Sequence, residues 1–177
     1  MRDELVREVA DRLDVPAEYV RAAPRTRTTS SAPTLPAGTS AGEVAFRAER
    51  EFLTFSLASG DLGREYLSVP TNDQFSSEIT RRAREHLVAS FDDPLAGLPE
   101  DEPVLGAFVN DVVHAAHELP AKPESVLRMS ILQLEGRRIE REIRRATQQG
   151  DHARHTELAA AEQRVRAELG EVMGQTA

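Results

Sequence analysis

Five arginines fall within nine residues, Arg137 to Arg145, in the stretch EGRRIEREIRRATQQGD (135–151). Guanidinium groups match the geometry of phosphate and carboxylate oxyanions, so such a run can grip either a nucleic acid or another protein. On a helix Arg137, Arg141, Arg144 and Arg145 share a face, and glutamates are interleaved with them. Glu140 lies four before Arg144, Glu142 three before Arg145, and Arg138 four before Glu142. Beyond the Gln-Gln-Gly break, Glu162 with Arg166 and Arg164 with Glu168 repeat the spacing. Each such pair steadies a helix by roughly 0.2–0.5 kcal/mol. A salt-laced solvated face, a protein contact and a nucleic-acid contact all stay open. The last lacks its stacking platform, because no Phe, Tyr or Trp follows Phe108.

The remaining chemistry-bearing residues offer less. Asp111, His114 and His117 lie one helical turn apart and could share a divalent cation, but no fourth ligand is suggested and a solvated face accounts for them. His152 and His155 fall in the first turn of a helix, where a charged imidazole is disfavoured, and read as exposed and neutral. Asp92-Asp93 and Glu100-Asp101-Glu102 are proline-flanked acidic runs that read as solvated loop. There is no phosphate-binding glycine loop, nucleophile elbow or His-Glu-x-x-His motif. The chain has no cysteine, which excludes disulfides and thiol chemistry. No catalytic, cofactor-binding or metal-binding residue is expected.

The net charge of −8 is uneven. Residues 1–42 carry six basic and six acidic groups, residues 43–121 six and fifteen, and residues 122–177 ten and nine. An acidic middle repels a polyphosphate and counts against direct nucleic-acid binding. No apolar run approaches the roughly 20 residues that span a bilayer, and the charged start has no signal-peptide pattern, so a soluble cytoplasmic protein without membrane contact is expected.

These residues must be positioned by helices. Leu5, Val6, Val9 and Leu13 make one apolar face. Residues 23–42, rich in Pro, Ser, Thr and Gly, read as a flexible linker. From Glu43 the pattern gives a helix with Phe46, Phe52, Leu53 and Leu57 inward, ended at Gly60. A short helix follows over Asp61–Leu67, and then one from about Ser77 with Ile79, Ala83, Leu87 and Phe91 inward, capped by Ser76 or Ser77. Residues 104–119 read as a helix burying Leu105, Phe108, Val112, Ala115 and Ala116. Two long helices, 124–148 and 152–173, carry apolar stripes and meet at Gly150-Asp151, which suit a left-handed stop and an N-cap. They should pack antiparallel. No alternating strand pattern of useful length and no fixed-period repeat occurs. The expected fold is all-α: residues 1–22 a helical remnant, 43–121 a helical bundle, and 122–177 a long C-terminal antiparallel helical hairpin.

Three stretches together resemble a known family. AEREFLTFSLASGDLGREYL (48–67) is similar to the opening helices of the helicase-binding region at the C-terminal end of bacterial DnaG-type DNA primases. NDQFSSEITRRAREHL (72–87) resembles that region's Phe-Ser/Thr-Ser segment and the helix after it. Residues 130–169 resemble its terminal hairpin, and residues 2–21 the helix closing the polymerase core. The resemblance implies a module that docks on the N-terminal domains of a replicative DnaB-type helicase and couples primer synthesis to the fork. The family's cysteine-bearing zinc domain and acidic polymerase core are missing, so the chain looks like a fragment or separately encoded tail. The expected role is therefore binding, with Arg141, Arg144, Leu169, Val172 and Met173 as partner contacts on the hairpin. An N-terminal domain of the helicase itself, or a helical nucleic-acid-binding module, are the alternatives.

Overall fold

The computed structural model describes residues 41–175, so the readings of 1–22 as a helical remnant and of the linker up to residue 40 lie outside the described residues. The described fold is all-α. Six helices follow in order: α1 Ala41–Ala58, α2 Gly60–Leu67, α3 Glu78–Ala89, α4 Pro103–His117, α5 Glu124–Gln149 and α6 His152–Gln175, with one 3-10 turn at Asn72–Gln74 before α3. No strand occurs among the described residues.

α1 buries Ala45, Glu49, Phe52, Leu53 and Ser56, a helical stripe that runs down the bundle's centre. It stops at a sharp corner. Gly60 takes φ +57°, a conformation glycine adopts without penalty, and the Ser59 hydroxyl donates to Phe55 O at 2.7 Å. The Lys122 N–H donates to that same hydroxyl at 2.9 Å, tying the corner to the start of α5. α2 then folds back on α1 at Gly63, where a Cβ would sit 1.7 Å from Ser56 O. Only a residue without a side chain permits so close a crossing.

The bundle core joins Phe52, Leu53, Leu67, Phe75, Ala83, Leu87, Leu105, Val109, Val112, Val113 and Leu134. Phe52 and Phe75 meet at tilted rings with centroids 6.2 Å apart. α4 is rotated slightly from the sequence reading. Val109 and Val113 are buried, whereas Phe108 and Ala115 are only half-buried. Phe108 leans on Phe46 instead, at 5.6 Å between centroids. The acidic loop runs are partly engaged, since Asp92 pairs with Arg64 and Glu102 with Arg82.

The break between the long helices forms as the sequence suggests. Gly150 adopts φ +69°, Asp151 N–H donates to Ala146 O at 3.0 Å, and Asp151 Oδ1 accepts from Arg154 N–H at 2.9 Å as the cap of α6. Beyond it α6 runs back along α5. Ile139, Ala146 and Leu158 form the hairpin's own core, with Ile143, Ala161 and Val165 packed against it. The helix α5 belongs to both cores: Leu134 to the bundle, Ile139 five residues later to the hairpin. One unbroken helix thus carries the hairpin out of the bundle.

Candidate protein-contact surface

The arginine run lies on α5 where bundle gives way to hairpin, and its five members divide into two kinds. Arg138 is a hub. Its Nε and Nη2 donate to the two oxygens of Glu135 at 2.8 and 2.6 Å, and its Nη1 donates to Glu142 at 3.0 Å. Asp73 of the 3-10 turn lies 3.5 Å away. Hydrogen bonding to Glu135 is the main reason the Arg138 pKa is raised, against the cost of burial. The same bond holds the Glu135 carboxyl below its ordinary value, with Gln74 Nε2 adding a second bond at 2.8 Å. Arg154 of α6 extends the chain across the hairpin, to Glu142 at 2.8 Å and Glu157 at 3.2 Å.

Arg141 turns inward. Its Nη2 donates to the carbonyls of Asp73 and Gln74 at 2.7 and 3.1 Å, so it holds the turn that precedes α3. Burial lowers its pKa, the neighbouring charges of Arg138 and Arg144 lower it further, and Glu49 opposes them. Glu49 itself is fully buried. Its Oε1 accepts from the Ser76 N–H at 2.7 Å and hydroxyl at 2.6 Å, and its Oε2 accepts from the Thr80 hydroxyl at 2.6 Å. Ser77 occupies the N-cap position of α3, as the sequence reading allows, but its side chain makes no capping hydrogen bond. The carboxylate from α1 holds the Ser-Ser segment instead. A buried carboxylate with these donors satisfied is stable where an unpaired one is not.

Arg137, Arg144 and Arg145 are of the second kind, and none forms an ion pair among the described residues. Glu142, the expected partner of Arg145, is held by Arg138 and Arg154. Of the spacings noted in sequence, Arg138–Glu142 and Glu162–Arg166 form, the latter at 2.8 Å.

The other expected contacts scatter. Arg144 is exposed, and Met173 is 61% exposed. Leu169 is half-buried between the arms, in a cleft with Leu132, Gly136 and Arg137. Val172 is buried. Arg141 and Val172, expected as outward contacts, are thus half-buried and buried respectively, Arg141 being bonded to the turn before α3. Sequence spacing along α5 could not reveal that the turn before α3 would engage Arg141. Asp111 is drawn to Arg50 at 2.8 Å, away from His114. Among the described residues, no group of three His, Cys, Asp or Glu side chains is placed to hold a metal. No described helix is long and apolar enough to cross a membrane.

Sequence reasoning missed Glu49, and for Arg138 it found Glu142 but not Glu135 or Asp73. Glu49 carried a signal, being a glutamate in the stripe formed by Ala45, Phe52, Leu53 and Ser56. Comparison with protein families, curated proteins and solved structures finds no match for this chain.

Proposed function

We propose that this chain is a helicase-binding module of the kind found at the C-terminal end of DnaG-type primases. It acts by docking on the N-terminal domains of a DnaB-type replicative helicase and performs no chemistry of its own. One observation carries this reading. The three stretches whose sequences resemble that region meet at a single node: Glu49 from the first, Ser76 and Thr80 from the second, and Arg141 from the third. Residue types that look like separate weak motifs are thus partners in one arrangement. The hairpin that extends beyond the node supplies an exposed surface. Arg144, Arg145 and Met173 lie on it, and a few such arginine and apolar anchors typically dominate a docking energy.

The test is retention of the chain by immobilised helicase N-terminal domains. The full chain is expected to bind. A chain ending at Gly150 should lose binding while its circular dichroism keeps the bundle's helical signal, and Arg144→Glu should weaken binding by about tenfold or more. Retention of the truncated chain and of the Arg144 variant at unchanged strength would overturn the proposal.

A further inference from the structure

A second feature of the arginine run points elsewhere than to protein docking. Between the first turn of α1 and the middle of α5 lies a cavity of about 250 Å³, lined by Gly42, Val44, Ala45, Ser76, Arg137, Glu140, Arg141 and Arg144. Three guanidinium groups and the Glu140 carboxylate line it, and the Glu49 carboxylate, bonded to Ser76, lies behind it. None of the three arginines has an ion-pair partner among the described residues. Arg141 Nη1 is sealed from solvent and makes no hydrogen bond there.

We infer that this cavity is a binding site for a compact dianionic oxyanion, namely phosphate or a phosphomonoester. The charge fits, since a phosphomonoester carries about −1.5 to −2 near neutral pH. The donors fit as well, because arginines present paired N–H groups to phosphate oxygens. The first turn of α1 borders the same cavity, with Glu43 in that turn opposing the positive end of the helix dipole. The acidic surroundings count against an extended polyanion. Residues 43–121 around the cavity carry a balance of −9, which repels a long chain of phosphates. This inference stands without the helicase reading, because it concerns the chain alone.

The experiment titrates the whole chain with inorganic phosphate at constant ionic strength, balanced with chloride, and follows amide chemical shifts by NMR. Adenosine 5′-monophosphate is the second probe. The expected result is saturable shifts around Gly42–Ala45 and Arg137–Arg144 that chloride does not produce. Equal affinities for the two probes assign the site to free phosphate, and tighter monophosphate binding assigns it to a phosphomonoester. Arg137→Gln with Arg144→Gln should abolish the shifts without unfolding the chain, since neither side chain is in an ion pair. Glu140→Gln should tighten binding by removing the carboxylate that lines the cavity. Shifts no larger than with chloride, shifts that survive in the double variant, or weaker binding by Glu140→Gln would each overturn the inference.

Discussion

Replacing Glu49 probes the node most directly. Glu49→Ala removes the acceptor for the Ser76 N–H, the Ser76 hydroxyl and the Thr80 hydroxyl, at 2.7, 2.6 and 2.6 Å, inside a site closed to water. Hydrogen bonds to a charged group contribute about 1.5–3 kcal/mol each, partly offset by the cost of burying the carboxylate. The variant also leaves Arg141 without the larger of the two negative charges, Glu49 and Asp73, that oppose the cost of its burial. Removing one partner from a buried charged arrangement typically costs about 3–5 kcal/mol, and that is the range expected here. Glu49→Gln keeps the shape but turns one acceptor into a donor, and should lose about 2–3 kcal/mol. Urea unfolding followed by circular dichroism measures both. Domains of this size have about 5–15 kcal/mol in total, so a shift of this magnitude moves the midpoint far outside experimental scatter. In a double-mutant cycle with Arg141→Gln, the two sites should couple by about 1 kcal/mol or more. A loss below about 1 kcal/mol for Glu49→Ala, or additive effects with Arg141→Gln, would refute the idea that this carboxylate organises the bundle.

Gly63→Ala places a methyl group 1.7 Å from Ser56 O, a backbone atom that cannot step aside, so α2 must lift from α1; a loss of at least about 3 kcal/mol is expected by urea unfolding. Stability should also depend on pH through Glu135 and Asp73. Hydrogen bonding to Arg138 holds the Glu135 carboxyl below its ordinary 4.5, and the Thr71 hydroxyl holds Asp73 below its ordinary 3.8. A depressed carboxylate stabilises fully above its unfolded value and loses that contribution as pH falls through its folded value, so urea midpoints should be level from pH 7 to about pH 5 and then fall. Arg138→Gln should flatten the part of that fall due to Glu135.

The hairpin was largely legible in the sequence because its determinants are local. Gly150 and Asp151 announce the turn by residue type alone, and Ile139, Ile143, Leu158 and Val165 recur at helical spacing. The short helix after Gly60 was visible for the same reason. The arginine run was harder to read. Its glutamates suggested partners three or four residues away on the same helix, and Arg138 does use Glu135 and Glu142 that way. Arg141, however, bonds the carbonyls of residues 67 and 68 positions earlier in the chain. Nothing in the spacing along α5 encodes that turn. The rotation of α4 has a similar origin. Val109 and Phe108 are adjacent apolar residues, and the choice between them depends on the shape of the neighbouring helices. Val172 likewise lies on a stripe that either an internal or an external neighbour could have covered.

The continuity of α5 from Leu134 to Ile139 has a mechanical consequence. No joint separates the hairpin from its base, so the hairpin behaves as a lever arm with its fulcrum in the bundle. From Leu134 to Gln149 the arm is about 22 Å long at 1.5 Å per residue, and a tilt of about 10° at its root would sweep the Gly150 tip by about 4 Å. Arg138 and Arg141, braced against the Asp73–Gln74 turn, sit close to that fulcrum, where small displacements are most amplified. A load applied at the far end would therefore be felt as torque on the turn that leads into α3, with no slack to absorb it.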